Sequence, residues 1–191
     1  MQDSGRIRIL HFVRHGQYAD APGVFGGVLS PLGRRQATVL GKHFSNMPIQ
    51  KIWSSDMNRA IETADIIASF LPSVPIERSD LFREMVPSKV KQFKVPLARR
   101  REDRRRLDDI QERLLIRSNT LRHELVVAHG NLIRALLVQV LRAPLTSWVQ
   151  LDINHCSITT LRVMFNQQIR LVRYNECGHI PAALVSNENL I

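Results

Sequence analysis

Residues 7–16 read Ile-Arg-Ile-Leu-His-Phe-Val-Arg-His-Gly, and this stretch decides the class of fold. The run from residue 7 to residue 13 predicts a short buried β-strand, and Gly16 marks a break just after it. Arg14 and His15 then stand at the carboxyl end of that strand. Ligands of open α/β sheets bind in the crevice outside the carboxyl ends of the strands. The stretch therefore predicts a central strand together with one wall of a binding site.

Strands and helices alternate along the rest of the sequence. Ser30 followed by Pro31 is typical of a helix N-cap and first helical position, and this helix should run to about Phe44. This alternation predicts an α/β, three-layer fold with a mostly parallel sheet, an antiparallel edge strand and a short helical insertion over the predicted active site. The other predicted elements are strands at 51–54, 74–77 and 124–128, helices at 56–71, 97–122 and 131–141, and a closing hairpin of residues 157–163 and 169–174.

Length and composition indicate one ordinary globular domain. A chain of 191 residues predicts a single domain over residues 1–191. Two cysteines, Cys156 and Cys177, are too few for a disulfide framework and favour a reducing compartment. No stretch has the roughly 18 to 20 apolar residues of a membrane span, and residues 1–8 lack the apolar core of a signal peptide. We expect a cytoplasmic protein, or a mitochondrial one if an anchor or presequence is missing from this chain. A homo-oligomer stays open.

The charge of the chain is unusual. There are 27 Lys and Arg against 17 Asp and Glu, a formal net charge of +10, which predicts an anionic partner: a nucleic acid, an acidic membrane face or a phosphorylated molecule. Residues 89–106 hold nine basic and two acidic residues, a net of +7. This basic segment fits either a solvated helix face or a cover that attracts substrate.

Three polar clusters follow three predicted strands and should converge. Two arginines and two histidines at such a crevice suit a phosphate, because guanidinium groups bind its oxygens bidentately. Helix N-termini add backbone N–H donors, for which Gly130 and Asn131 are candidates, although Asn131 also fits a helix cap. The clusters are Arg14-His15-Gly16, Ser54-Ser55-Asp56 with Arg59, and His129-Gly130-Asn131.

His15 and a further residue, Glu84, suit catalysis at a phosphate. A neutral His15 imidazole held in one tautomer can attack phosphorus and form a phosphoenzyme. The leaving oxygen then needs a proton, and Glu84 is the candidate acid. A surface ion pair with the adjacent Arg83 is the alternative interpretation of Glu84. We interpret His11, His43, His123, His155 and His179 as core or surface residues.

Together these motifs resemble the histidine phosphatase superfamily, which has the phosphoglycerate-mutase-like fold. The order and spacing match over nearly the whole chain, and residues 11–18 (HFVRHGQY) with the Arg59 helix are most similar to the serine/threonine protein phosphatase branch, phosphoglycerate mutase family member five. The motifs that carry the resemblance are residues 14–16 (RHG), 29–37 (LSPLGRRQA), 54–64 (SSDMNRAIETA), 83–84 (RE) and 128–131 (AHGN).

The resemblance implies a role for each matching residue. His15 would be the phosphorylated nucleophile, Arg14 and Arg59 the phosphate clamps, Glu84 the proton donor, and His129 a second imidazole that stabilises the transferred phosphoryl group. It implies no metal and no other cofactor. The sequence departs from that branch after Glu84, where it is strongly basic, and in residues 1–5, which match neither the branch's anchor nor its assembly segment.

The sequence therefore predicts a metal-independent phosphatase that hydrolyses phosphomonoesters through a phosphohistidine, with a phosphoprotein carrying phosphoserine or phosphothreonine as substrate. A small-molecule phosphatase for a sugar phosphate or nucleotide and a phosphoglycerate-type mutase are alternatives. The mutase is disfavoured because the resemblance implies a much longer insertion in the family's mutases at the place where only 44 residues separate Glu84 from His129. A metallohydrolase built on His11, His15 and His129 lacks an acidic ligand at suitable spacing. A basic nucleic-acid-binding protein is disfavoured by 6% aromatic residues and no recognisable module, so no nucleic acid is expected as partner.

Overall fold

Strands and helices alternate through the protein as the sequence predicts. The computed structural model describes residues 6–89 and 94–186. Within these residues the elements are β1 (Arg8–Arg14), β2 (Tyr18–Ala19), β3 (Val28–Leu29), α1 (Pro31–Phe44), β4 (Ile49–Ser55), α2 (Asn58–Ala68), β5 (Ile76–Ser79), α3 (Leu97–Leu114), β6 (Arg122–Ala128), α4 (Gly130–Val140), β7 (Ile158–Val163) and β8 (Ile169–Glu176).

A six-stranded mixed sheet lies at the centre, in the order β5-β4-β6-β1-β7-β8. The first four strands are parallel, and β7 and β8 are antiparallel to their neighbours. Arg14 pairs with Ala128 of β6, and Val13 pairs with Ile158 of β7. The carboxyl end of β1 therefore lies between the carboxyl end of β6 and the amino end of β7.

Helices cover both faces of the sheet, which confirms the predicted three-layer α/β fold. Leu10 and Phe12 of β1 belong to one buried cluster with Leu107 of α3 and Leu136 of α4. Val13 belongs to the other cluster, which contains residues of α1 and α2. Successive side chains of a strand point to opposite faces, so the short run of β1 fills two cores at once.

The start of α1 is fixed against the loop after β1. Ser30 is the N-cap, and its Oγ accepts the N–H of Gly33 at 3.0 Å and donates to Oε1 of Gln17 at 2.7 Å. A Cβ on Gly33 would lie 2.0 Å from the carbonyl oxygen of Gln17. Only glycine permits this approach, which presses α1 against the segment that carries His15.

Helix α3 is shorter than the predicted 97–122 and ends at Leu114. Its buried face of Leu107, Ile110 and Leu114 stops there, and the Ser-Asn-Thr sequence at 118–120 favours turns. Arg122 instead begins β6, where it pairs with Arg8 of β1. Helix α3 thus connects β5 to β6 and packs in the same layer as α4.

The remaining predicted elements are present with ends shifted by a few residues, and the β2–β3 pair is an addition that the sequence did not predict. Residues 90–93, which include Lys91 of the predicted basic segment, lie outside the described residues. No helix in the described ranges is long and apolar enough to cross a membrane.

Candidate active site

The three predicted polar clusters meet at the carboxyl ends of β1, β4 and β6. The ring centroids of His15 and His129 are 5.0 Å apart. Arg59 Nε lies 2.9 Å from His15 Nε2, and Ser55 Oγ lies 2.9 Å from His129 Nε2. Residues that are far apart in the sequence therefore form one buried polar site.

The contacts of His15 define one tautomer of its ring. Nδ1 lies 2.9 Å from the carbonyl oxygen of Gly16, and Nε2 lies 2.9 Å from the Nε of Arg59. A carbonyl oxygen only accepts hydrogen bonds, and a guanidinium group only donates them. The hydrogen is therefore on Nδ1, and Nε2 carries the lone pair.

The surroundings also keep His15 uncharged. The side chain is buried, and this burial lowers its pKa well below the ordinary 6.5. The neighbouring His129, Arg59 and Arg14 lower the pKa further by charge repulsion. At neutral pH the imidazole is thus neutral, which is the nucleophilic form.

Arg14 and Arg59 are two buried cations at this site. Arg14 donates to the carbonyl oxygen of Ile153 at 2.8 Å, and Arg59 donates to that of Gly26 at 2.7 Å. Burial lowers the pKa of Arg14 to about 10, so the group remains charged at neutral pH. A Cβ on Gly130 would lie 3.4 Å from Arg14 Nε, so Arg14 lies close to the start of α4.

Glu84 lies against the N-terminus of α4 rather than on the surface. Its Oε1 accepts the backbone N–H groups of Met85 at 3.1 Å, Asn131 at 3.1 Å and Leu132 at 3.3 Å. Burial raises the pKa of this carboxyl group, although Arg59, Arg14 and Arg134 oppose that rise. The ion-pair alternative fails, because Arg83 pairs with Asp56 at 2.7 Å.

Asn131 lies in the first turn of α4 and is not its cap, because His129 is the N-cap residue. Its backbone N–H donates to Glu84, and its side-chain oxygen accepts from Arg134. The helix-cap alternative is therefore wrong, whereas the role of Asn131 in binding phosphate stays a prediction.

Three further side chains, which the sequence did not predict as part of the site, lie close to it. The ring of Tyr18 lies 5.2 Å from that of His15 and 4.5 Å from the guanidinium carbon of Arg59. The buried ring of His155 is 5.7 Å from that of His15, and Arg134 is close enough to lower the pKa of Glu84.

A partial sequence signal for His155 was available, because the residue comes just before a predicted strand. The structure shows that this strand, β7, pairs antiparallel with β1, which places its amino end beside the carboxyl end of β1. For Tyr18 and Arg134 we find no comparable signal.

The other histidines form separate pairs. His11 Nε2 is 3.3 Å from His123 Nδ1, and His11 Nδ1 is 3.2 Å from Thr160 Oγ1. His43 and His179 have ring centroids 4.9 Å apart. In the described ranges no three His, Cys, Asp or Glu side chains are arranged to hold a metal ion, and His11 does not join His15 and His129 as the metallohydrolase alternative requires.

The sequence is similar to those of known phosphatases. The sequence profile of the histidine phosphatase superfamily (branch 1) matches residues 10–103 and 93–177. The serine/threonine-protein phosphatase PGAM5, mitochondrial, of Mus musculus is 31% identical over 185 residues, which cover 91% of this chain and 64% of that protein. Its Xenopus tropicalis counterpart is 32% identical over 190 residues, which cover 94% of this chain and 68% of that protein. The chain thus spans about two thirds of the length of these curated relatives.

Solved structures share the fold. Bacillus stearothermophilus YhfR aligns with a TM-score of 0.73 at 20% identity over 91% of this chain and 100% of that one. A phosphoglycerate mutase from Plasmodium falciparum aligns with a TM-score of 0.65 at 24% identity over 92% of this chain and 95% of that one. At such identities the likeness establishes the fold alone.

Proposed function

The chain belongs to the histidine phosphatase superfamily, and from that membership we propose that it hydrolyses phosphomonoesters through a phosphohistidine at His15. The observation that carries this proposal is the fixed tautomer of His15. With hydrogen on Nδ1 and a lone pair on Nε2, the ring needs no general base before it attacks phosphorus.

The first half of the reaction transfers the phosphoryl group to the enzyme. The phosphate oxygens bind the guanidinium groups of Arg14 and Arg59, and His15 Nε2 attacks phosphorus in line with the leaving oxygen. The P–N bond forms as the P–O bond breaks, and Glu84 gives its proton to the departing alkoxide. The raised pKa of Glu84 favours the protonated form that this step needs.

The second half returns the enzyme to its starting state. Glu84, now a carboxylate, takes a proton from water, and the hydroxide attacks phosphorus while the P–N bond breaks toward His15. His129 stabilises the transferred group: its Nδ1 is buried and has no hydrogen-bond partner in the described part of the chain. Because the two arginines supply the positive charge that the transition state needs, we propose that hydrolysis requires no metal and no other cofactor.

We propose a phosphoserine or phosphothreonine of a protein as the substrate. The name of the mouse and frog relatives, serine/threonine-protein phosphatase, supports this class. A small-molecule phosphatase or a mutase would use the same site, and activity on a panel of phosphopeptides, sugar phosphates and nucleotides separates them. We propose no nucleic-acid partner.

A single experiment tests the chemistry. The purified chain should hydrolyse p-nitrophenyl phosphate in the presence of a chelator, vanadate should inhibit it, and an acid-labile phosphoenzyme should form. His15→Ala should abolish both turnover and labelling while the circular dichroism spectrum stays unchanged. His43→Ala, a histidine outside the site, should behave like the wild type. Full activity of His15→Ala, or loss of activity on chelation, would contradict the proposal.

The compartment and the assembly stay predictions. The mouse and frog relatives are named mitochondrial, which supports the mitochondrial alternative over the cytoplasmic one. Fractionation of cells that express the tagged chain tests the compartment, and light scattering of the purified protein tests whether it forms a homo-oligomer.

A further inference from the structure

The arginines of α3 fall into two groups with different surroundings. Arg99 and Arg106 form ion pairs with the buried Asp103 at 3.2 Å and 2.9 Å. Arg100, Arg101 and Arg104 have no salt-bridge partner among the described residues and instead line one groove with Lys89. Arg105 is exposed and also lacks a salt bridge among the described residues, but it does not line the groove. The basic segment is thus neither a uniform solvated face nor a uniform cover.

We call this groove the Arg100 groove and define it by Arg100, Arg101, Arg104 and Lys89. Residues of two chain segments line it on both sides. Arg104 is four positions after Arg100 and three after Arg101, so it neighbours both on the helix surface, and all three arginines line the groove. The opposite wall contains Ser88, whose buried Oγ accepts the indole N–H of Trp148 at 2.9 Å. The enclosed volume is about 170 Å³, which is enough for a side chain but not for a folded element.

Contacts between α3 and the segment after β5 hold the groove at a fixed position relative to Glu84. Arg106 donates to the carbonyl oxygen of Glu84 at 3.1 Å, and Asp103 accepts the N–H of Val86 at 2.8 Å. Arg100 lies six residues before Arg106, nearly two turns earlier along the helix, and lines the groove together with Ser88. Six residues of α-helix rise by about 9 Å, so the groove lies about that far from the Arg106 contact with Glu84. An extended peptide covers this distance in about three residues.

We propose that the Arg100 groove binds an acidic side chain of the substrate polypeptide, about three residues from the phosphorylated residue. This inference rests on the proposed phosphatase function and specifies the substrate class of the same site. The four cations have no salt-bridge partner among the described residues and therefore favour an anionic occupant. None of the described residues that line the groove is aromatic, whereas single-stranded nucleic acids bind to basic grooves that also offer aromatic stacking platforms. A carboxylate on a peptide is the occupant that fits both observations.

The test compares matched phosphoserine peptides. Each pair differs only in Glu or Gln placed three residues before or three residues after the phosphoserine. We expect the wild-type chain to prefer one Glu peptide over its Gln partner by about tenfold in kcat/KM, and the preference should fall in high salt. In Arg100→Gln/Arg101→Gln/Arg104→Gln the preference should fall to about one.

A control variant removes the same charge elsewhere. Arg117, Arg142 and Arg170 are exposed, and Arg142 and Arg170 line a separate pocket beside the β7–β8 turn, at the opposite end of the sheet. Arg117→Gln/Arg142→Gln/Arg170→Gln should retain the preference for the acidic peptide. Equal loss in both triple variants would overturn the inference, because it would reflect net charge alone.

The outcomes also separate this inference from the proposed function. If the wild-type chain hydrolyses p-nitrophenyl phosphate but shows no preference between Glu and Gln peptides, only the groove assignment fails. If it hydrolyses none of these substrates, the phosphatase proposal itself fails. Binding of single-stranded RNA that depends on the groove arginines, without any peptide preference, would also overturn the acidic-peptide assignment.

Discussion

Arg59 donates a 2.9 Å hydrogen bond from Nε to Nε2 of His15, the nitrogen that carries the lone pair. The same guanidinium also donates to the carbonyl oxygen of Gly26 at 2.7 Å, and it packs over Tyr18. An attack by Nε2 on phosphorus requires this lone pair to become free. In the proposed reaction, phosphate oxygens therefore take over the Arg59 donors as substrate binds.

Arg59→Ala should affect both catalysis and the pH profile. Loss of a phosphate clamp should lower kcat/KM for p-nitrophenyl phosphate by about 10²- to 10³-fold. Because the positive charge of Arg59 lowers the pKa of His15, its removal should raise that pKa and move the acid limb of kcat/KM to higher pH. Arg35→Ala, which removes an exposed arginine of α1, is the control and should change neither quantity. An unmoved acid limb in Arg59→Ala would argue against this coupling.

Glu84→Gln should separate substrates by their leaving groups. Gln cannot protonate a departing alkoxide, so kcat for an alkyl phosphate should fall by about 10²- to 10⁴-fold. p-Nitrophenolate leaves as a stable anion, so the first step with p-nitrophenyl phosphate should slow much less in burst kinetics. Asp80→Asn, a nearby carboxylate outside the site, provides the control. Equal losses for both substrates would contradict the role of Glu84 as the acid.

Gly33→Ala should damage the site through the backbone. The added Cβ would lie 2.0 Å from the carbonyl oxygen of Gln17, so either α1 or the loop after His15 must move. We expect a loss of unfolding free energy of about 1–3 kcal/mol, as for other overpacked positions, and a lower kcat. Gly23→Ala is a contrasting substitution for activity: its backbone φ of +74° makes alanine costly to stability, but open space surrounds Gly23, so kcat should stay unchanged. Urea unfolding and steady-state kinetics check both variants, and full activity of Gly33→Ala would refute the expected displacement.

Stability should fall as the pH drops from about 6.5 toward 4. Burial, together with repulsion from His123, Arg173 and His43, lowers the pKa of His11 to about 4. The unfolded chain keeps the ordinary pKa of 6.5, so between these values it binds a proton that the folded chain does not, and acid favours unfolding. His11 alone should contribute about 3 kcal/mol of this loss. About 2 kcal/mol of it should be lost between pH 7 and pH 5, a range in which urea unfolding measures it. His11→Phe should reduce the pH dependence by this amount, and an unchanged slope would show that other groups cause it.

Local sequence patterns specified most of the helices and strands, and they specified the end of the sheet at which the site lies. The apolar run before Arg14 specifies β1, and Ser30 with Pro31 specifies the start of α1. Because parallel strands present their carboxyl ends at one edge, the clusters at His15, Arg59 and His129 had to converge. These inferences depend on patterns within a few residues, which the sequence displays directly.

Only the tertiary structure decided which groups meet within hydrogen-bond distance. The contacts of Arg59 with His15 and of Glu84 with Asn131 join residues that are 44 and 47 positions apart. The end of α3 at Leu114 depends on the pairing of Arg122 with Arg8, a partner more than a hundred residues away. Helical spacing alone places Arg99 and Arg106 beside Asp103, but the packing of α3 against the segment after Glu84 decides that Arg100, Arg101 and Arg104 line a groove with Ser88 and Lys89. Contacts within one helix follow from positions a few residues apart, whereas contacts between elements depend on how the whole chain packs.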